Sequence, residues 1–198
     1  RDLRMSRGLG DVYKRQPMCM VSRMIKAKVP DAYTVFIGPC IAKKSEVKDQ
    51  QIEGNADAVL TFSEIRAIMK AKGVVLTAEE NSYQEASVFG KRYGNSGGVT
   101  NAVLEYLKET DNEIDAKVYR ANGAADCKKA LLLMKVGRLP EDFIEGMACE
   151  GGCVGGPSAF QGEIASKKNR DSLISCADCR TIVENLSKID MGAFEHHR

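Results

Sequence analysis

The sequence predicts an α/β fold, mainly parallel sheets flanked by helices. Two observations predict it. Short β-branched or aromatic runs at 33–37, 57–61, 117–121 and 142–145 alternate with longer stretches whose apolar residues recur at helical spacing. Strands separated by helices pair in parallel through crossover connections. In addition, two of the runs lead directly into glycine-flanked cysteines, at Cys40 and Cys149. Ligands of open α/β sheets gather at the carboxyl ends of strands.

Taken in order, Arg1–Gln16 has no apolar periodicity and carries Arg1, Arg4, Arg7, Lys14 and Arg15. It resembles a translated adapter read-through peptide and is set aside from the fold. From Pro17 a helix is predicted with Met20, Val21, Met24 and Ile25 on its apolar face and Cys19 as a small core residue. Pro30-Asp31 ends it, and Tyr33–Ile37 reads as a buried strand. Asp57–Thr61 is a second strand, followed by a helix capped by Ser63, carrying Ile65, Ile68 and Met69, and stopped at Gly73. Residues 74–95 carry no clear pattern. The turn Asn95-Ser96-Gly97-Gly98 opens a helix with the stripe Val99, Val103, Leu104, Leu107. Such a turn can receive an anion, but the signal is weak and close packing of that helix is the preferred reason for the glycines. Lys117–Ala121 is a strand, Asn122-Gly123 a turn, and Leu131, Leu132 and Met134 lie on a helix that stops at Gly137 and holds Cys127 as a structural thiol. Asp142–Glu145 is a short strand. After Pro157 the composition turns polar, with a helix through Leu173 and Ile174, and Cys176 and Cys179 form a CxxC in a helix-like stretch.

The chain of 198 residues is 43% hydrophobic, enough for one substantial core or two small lobes. A net charge of +2 points to neither nucleic acid nor a membrane surface. No apolar run approaches the roughly 20 residues needed to span a bilayer. Seven cysteines, an odd number without a secretory signal, suggest reduced thiols and a cytoplasmic location. The two histidines, His196 and His197, stand beside the carboxyl end, which disfavours histidine-based metal catalysis.

The chemistry concentrates in two stretches. In Gly146–Gly156, Cys149 and Cys153 are surrounded by Gly151, Gly152, Gly155 and Gly156. Each glycine costs a helix roughly 1 kcal/mol, so a loop is predicted, and glycines let backbone approach a thiolate-held inorganic group closely. In Gly38–Glu46, Cys40 follows a strand, and Lys43 and Lys44 stand one turn away, where their charge would favour a thiolate or a negatively charged cluster. A buried structural cysteine followed by solvated lysines is the alternative for that stretch alone.

Ile37-Gly38-Pro39-Cys40-Ile41-Ala42-Lys43-Lys44-Ser45-Glu46 resembles the motif MPCxxKKxE, and Gly146–Gly156 resembles MACxGGCxxGGG. Both belong to the catalytic domain in the large subunits of iron-only, or [FeFe], hydrogenases. The resemblance covers about Pro17 to Pro157. It implies a two-lobed fold with a cluster in the cleft between lobes, over residues 17–160, with 161–198 as a helical tail of the same domain. It also implies a [4Fe–4S] cluster bridged by one cysteine to a two-iron subcluster bearing CO and cyanide, together called the H-cluster. Carried over by position, Cys40, Cys149 and Cys153 are ligands, with Cys153 the bridge. Lys43 would contact a cyanide and Met147 would line the pocket. The implied activity is interconversion of H2 with protons and electrons, with ferredoxin or a fused ferredoxin-like domain as electron partner.

Gly38 stands where the motif has methionine, and Gly155-Gly156-Pro157-Ser158 replaces a longer glycine run, features closer to sensory or low-activity branches. A Cys-Cys-Pro stretch that supplies a further ligand and a proton-donating cysteine is expected upstream of Pro17, which makes this chain the carboxyl-terminal part of a longer protein. A non-catalytic iron–sulfur sensor or assembly protein of the same fold is the alternative function. A structural zinc site from Cys149, Cys153, Cys176 and Cys179 is a third, since zinc accepts four thiolates, but it leaves Cys40 and Lys43 without a role.

Overall fold

The computed structural model describes residues 17–49, 53–75, 77, 86–112, 115–175 and 177–193. The expectation for Arg1–Gln16 lies outside the described residues. Each predicted strand is present: β1 (Val35–Ile37), β2 (Ala58–Leu60), β3 (Val118–Asn122) and β4 (Phe143–Met147). They form two parallel pairs. β1 runs beside β2 with Val35 opposite Ala58, and β3 beside β4 with Val118 opposite Phe143 and Asn122 opposite Met147. The helices are α1 (Pro17–Lys28), α2 (Lys43–Glu46), α3 (Phe62–Ala71), α4 (Val88–Arg92), α5 (Gly98–Glu109), α6 (Ala124–Lys135), α7 (Glu163–Ser175) and α8 (Ile182–Leu186).

The first pair is held to α1 by a small apolar cluster of Met18, Ala56 and Val59, with Phe36 and Val47 against it. The face α1 buries is not the expected one. Met18, Cys19 and Ser22 point inward, while Val21 and Ile25 are exposed. Polar staples fix the rotation. Ser22 Oγ pairs with Thr34 Oγ1 at 2.9 Å, and Lys26 Nζ donates to the Asn55 carbonyl and to Asp57, each at 2.9 Å. Buried hydroxyls must be bonded, so they override a difference between two apolar stripes. Cys19 is fully buried, as expected of a core thiol.

β1 is not a buried strand. Val35 and Ile37 are 42% and 47% exposed, because among the described residues β1 pairs with β2 alone and only Phe36 turns into the cluster. The cap of α3 also differs from expectation. Thr61 accepts from the Glu64 amide, and the Glu64 carboxylate accepts from the Thr61 amide at 2.8 Å, a complete capping box. Ser63 lies inside the first turn. The far end is as predicted: Gly73 has φ +67°, its N–H donates to the Lys70 carbonyl, and Val74 donates to Met69.

The stretch 74–95 contains α4, capped by Ser87, whose hydroxyl accepts from Gly90 at 3.2 Å. α6 forms with Leu131, Leu132 and Met134 exposed and only Ala130 fully buried. α7 buries Ile174 and ends at Ser175, so the helix-like stretch expected through Cys179 is broken. Asp178 accepts from the Arg180 amide at 2.9 Å and bridges to Ser87, and Thr181 then caps α8 with Glu184. A side chain that bonds its own backbone two residues on makes a turn in place of helix. α8 packs on α5, where the Glu109 carboxylate accepts from the amides of Ile182 and Val183 at 3.1 and 2.8 Å.

Candidate cluster site

The site forms where the two cysteine loops meet. The first leaves β1 at Gly38, whose amide donates to the Leu60 carbonyl at 3.1 Å and so extends the parallel ladder to the residue before Pro39-Cys40. Cys40 is half-buried, and α2 begins at Lys43. Lys43 Nζ pairs with Glu46, whose side chain is only 3% exposed. Glu46 is anchored in turn through its carbonyl, which accepts from Asn55 Nδ2 at 2.9 Å.

The second loop leaves β4 at Met147, whose carbonyl accepts from Gly123 at 2.7 Å. The loop then turns through Cys149 to Cys153, with Gly152 donating to the Cys149 carbonyl at 3.0 Å and Gly151 donating to Asn122 Oδ1 at 2.8 Å. Gly152 has φ +87°, and a Cβ there would lie 2.5 Å from the Gly94 carbonyl oxygen, so only glycine fits. The close approach serves a purpose. Cys153 donates to the Gly94 carbonyl at 2.7 Å and Ser96 to the Gly151 carbonyl at 3.2 Å, clamping the cysteine loop to the turn before α5.

The two loops touch through backbone. Ser158 donates to the Pro39 carbonyl at 3.2 Å, and a Cβ on Gly156 would stand 2.9 Å from that same oxygen. Cys40, Cys149 and Lys43 are thereby brought into the electrostatic neighbourhood of Cys153. Burial pushes the Cys153 thiol up, and Cys40 raises it further while Lys43 opposes; Cys149 and Arg170 contribute smaller effects of opposite sign. The residue is nevertheless exposed by accessible area. It lines a cleft of about 390 Å3 together with Pro39, Phe62, Val154, Phe160 and Arg170. Arg66 lies over the Phe160 ring at 5.6 Å, and Phe62 tilts against it at 6.1 Å, which closes one wall.

The anion site foreseen at the start of α5 is filled from within the chain. Glu145, buried in the middle of β4, accepts from the amides of Gly97 at 3.0 Å and Thr100 at 3.1 Å and from the Thr100 hydroxyl. Close packing operates there too, since a Cβ on Gly98 would sit 2.0 Å from the Arg92 carbonyl. Neither Glu145 nor Arg170 is among the residues expected to matter from sequence. An acid at the centre of an otherwise apolar strand is a visible anomaly that could have marked Glu145. Nothing in Lys167-Lys168-Asn169-Arg170-Asp171 separates Arg170 from its neighbours.

Among the described residues no three of cysteine, aspartate, glutamate or histidine converge on a point where one metal ion could sit. Cys149, Cys153 and Cys179 therefore do not make a zinc site, and Cys176 lies outside the described residues. A single ion needs every sulfur at about 2.3 Å from it, whereas a multi-iron cluster gives each sulfur a different iron and needs the thiols further apart. Of the free thiols Cys40, Cys149 and Cys153, Cys153 alone lines the cleft, and Cys40, Cys149 and Lys43 lie within electrostatic reach of it; thiols are the donor type that iron–sulfur clusters use. No described helix is long and apolar enough to cross a membrane.

Comparison with known proteins shows the lineage of the chain. The model of the family described as iron only hydrogenase large subunit, C-terminal domain, matches residues 14–157. The chain is 31% identical over 159 residues to the periplasmic [Fe] hydrogenase large subunit of Nitratidesulfovibrio vulgaris strain Hildenborough, covering 63% of this chain and 38% of that protein. It is 32% identical over 164 residues to iron hydrogenase 1 of Clostridium pasteurianum, covering 64% of this chain and 28% of that protein. The chain thus spans well under half the length of these curated relatives. A solved structure of HydA(deltaEFG), which concerns stepwise assembly of the [FeFe]-hydrogenase H-cluster, superposes with a TM-score of 0.57 at 20% identity, over 85% of this chain and 59% of that one. That likeness establishes the fold, an α/β arrangement of parallel strand pairs and flanking helices, and the family match establishes the lineage: the chain belongs to the family formed by the C-terminal domain of iron-only hydrogenase large subunits.

Proposed function

We propose that this chain is the cluster-holding part of an iron–sulfur oxidoreductase that interconverts H2 with protons and electrons. Cys40, Cys149 and Cys153 hold a [4Fe–4S] cluster, and Cys153 joins it to a two-iron subcluster carrying CO and cyanide. The observation that supports this reading best is the docking of the Cys40 loop against the Cys149–Cys153 loop, which puts Cys40, Cys149 and Lys43 around the Cys153 sulfur. When bound, the cluster supplies the redox chemistry, and the chain supplies binding, orientation and exclusion of water.

Lys43, held by buried Glu46, would donate N–H groups to a cyanide of the bound subcluster. Met147 ends β4 where the Cys149 loop begins, and its thioether would face a bound cluster without adding a competing proton. Pro39, Val154 and Phe160 give the cleft apolar walls. Residues 17–160 make the domain and 161–198 its helical tail, a division that the packing of α7 on the turn Cys153–Gly155 supports. Ferredoxin or a fused ferredoxin-like domain delivers the electrons. Six free cysteines among the described residues suit the cytoplasm, although one relative is named as periplasmic.

The test is Cys153→Ser in the full-length protein. H2 turnover should be abolished and the CO and cyanide stretches should disappear from the infrared spectrum, while undiminished turnover would remove Cys153 from the mechanism. Gly38 favours a second reading, the non-catalytic sensor or assembly protein. A Cβ at this buried position would lie 2.8 Å from Phe36 Cε1, so an aromatic ring stands where the catalytic motif places methionine. That reading predicts iron–sulfur absorption without CO or cyanide stretches.

A further inference from the structure

Arg170 stands beside the cluster site but outside both cysteine motifs and beyond residues 14–157, the part matched by the family. It projects from α7, which packs on the Cys153–Gly155 turn and on α4. One terminal nitrogen, Nη2, donates to the Lys91 carbonyl and fixes the guanidinium. Nε is buried and has no partner. Arg170 and Cys153 line the same cleft and flank the same glycine: a Cβ on Gly94 would lie 3.5 Å from Cys153 Cβ and 3.6 Å from Arg170 Nη2.

A buried N–H without an acceptor costs free energy unless something fills the place. A guanidinium is always charged, and it presents five donors in a rigid fork. Held at Nη2 and without a partner at Nε, it offers a fixed positive charge across Gly94 from Cys153. Adding an electron to a cluster adds negative charge, which a fixed cation at short range stabilises in a partly desolvated cleft.

We infer that Arg170 is a positioning residue for the cluster, acting through the Cys153 ligand to raise its reduction potential. The inference rests on the cluster reading given above. It differs from the simpler role of tying α7 to Lys91, because lysine could supply the charge without reproducing the fork.

The experiment compares wild type, Arg170→Lys and Arg170→Gln in the full-length protein reconstituted with ferrous iron and sulfide. Iron and sulfide content is measured first, and then the midpoint potential by redox titration followed in the visible and by electron paramagnetic resonance. The expected result is equal iron content in all three, a potential shifted to more negative values in Arg170→Gln, and a potential near wild type in Arg170→Lys. Loss of the cluster from Arg170→Gln with retention in Arg170→Lys supports the same conclusion. An unchanged potential in Arg170→Gln, or the same shift or the same loss in both variants, overturns the inference and leaves the cluster reading standing. A wild type that takes up no iron overturns the cluster reading and this inference with it.

Discussion

Glu145 is the residue whose removal should be most informative about how the fold supports the site. Its two carboxylate oxygens accept from two backbone amides and one hydroxyl at the start of α5, and the carboxylate and Thr100 are both buried. A carboxylate is favoured at a helix N-terminus, where amides lack intrahelical partners. Glu145→Ala leaves three buried donors without acceptors. At about 1–3 kcal/mol for each orphaned group, reduced by hydroxyl reorientation and water entry, the cost is about 3–4 kcal/mol. Glu145→Gln keeps one acceptor for Gly97 but turns an NH2 toward the Thr100 donors, and should cost about 2 kcal/mol.

The assay is urea unfolding of the apo protein followed by circular dichroism, with Thr100→Val as the partner in a double-mutant cycle. Thr100 is fully buried and donates from its hydroxyl to Glu145, so the cycle should show coupling of about 1 kcal/mol or more. The effect should also reach the cysteine loop. The turn that Glu145 anchors carries the Gly94 carbonyl that accepts from Cys153 at 2.7 Å, so the Cys153 amide should exchange its hydrogen faster in Glu145→Gln. A Glu145→Gln protein within about 0.5 kcal/mol of wild type, with unchanged exchange at Cys153, would refute the reasoning.

Two further predictions concern the first strand pair and its helix. Thr61→Ala should lower stability by about 1 kcal/mol while Ser63→Ala stays near zero, because Thr61 and not Ser63 closes the capping box; equal effects in denaturant unfolding would contradict the assignment. Asp57 is held at about 2, below its ordinary 3.8, first by the Thr34 amide at 2.7 Å and then by Lys26, and Glu64 is held at about 2, below 4.5, first by Lys44 and then by the Thr61 amide. Both depressed groups bind fewer protons folded than unfolded, so they stabilise above their ordinary values and that contribution is lost as pH falls from 4.5 toward 2. Over that window the urea midpoint should fall, and the Asp57→Asn, Glu64→Gln double variant should show a shallower dependence; an unaltered slope would rule the two carboxylates out.

The parts of this fold that are legible in the sequence are those where one residue type has one physical reason to be present. Val35–Ile37, Ala58–Leu60 and Val118–Asn122 are runs suited to a pleated backbone, and Gly73, Gly123 and Gly137 hold the positive φ that ends or opens a helix. Expectation and structure part where two residues could do the same job. Ser63 and Thr61 are both capping hydroxyls, and only the spacing Thr61-Phe62-Ser63-Glu64 distinguishes them, since it places an acid three residues after the threonine. The buried face of α1 depends on long-range bonds from Ser22 and Lys26 to partners at 34, 55 and 57, which no local pattern contains. Cys40, Cys149, Cys153 and Lys43 could be singled out because the two stretches that carry them resemble family motifs; residue type alone leaves a structural cysteine beside solvated lysines open at Cys40. Arg170 could not, because arginine in a polar helix is ordinarily a solvated face.

The glycines around Cys149 and Cys153 invite the explanation that they admit a bulky inorganic group, yet their immediate geometry shows another constraint. Gly152 lies against the Gly94 carbonyl and Gly156 against the Pro39 carbonyl, so each marks a contact between backbones. Such contacts leave nothing to side-chain choice: Cys153 donates to Gly94 and Ser158 to Pro39 through main-chain amides, whatever side chains those residues bear. The side chain at 158 can therefore vary while the contact between the two loops is kept, whereas one methyl group at Gly152 must push the Cys153 loop off the α5 turn. Glu145 fixes that turn from the opposite side, through the Gly97 and Thr100 amides. The relative placement of the two cysteine loops is thus set by main-chain docking and one buried carboxylate.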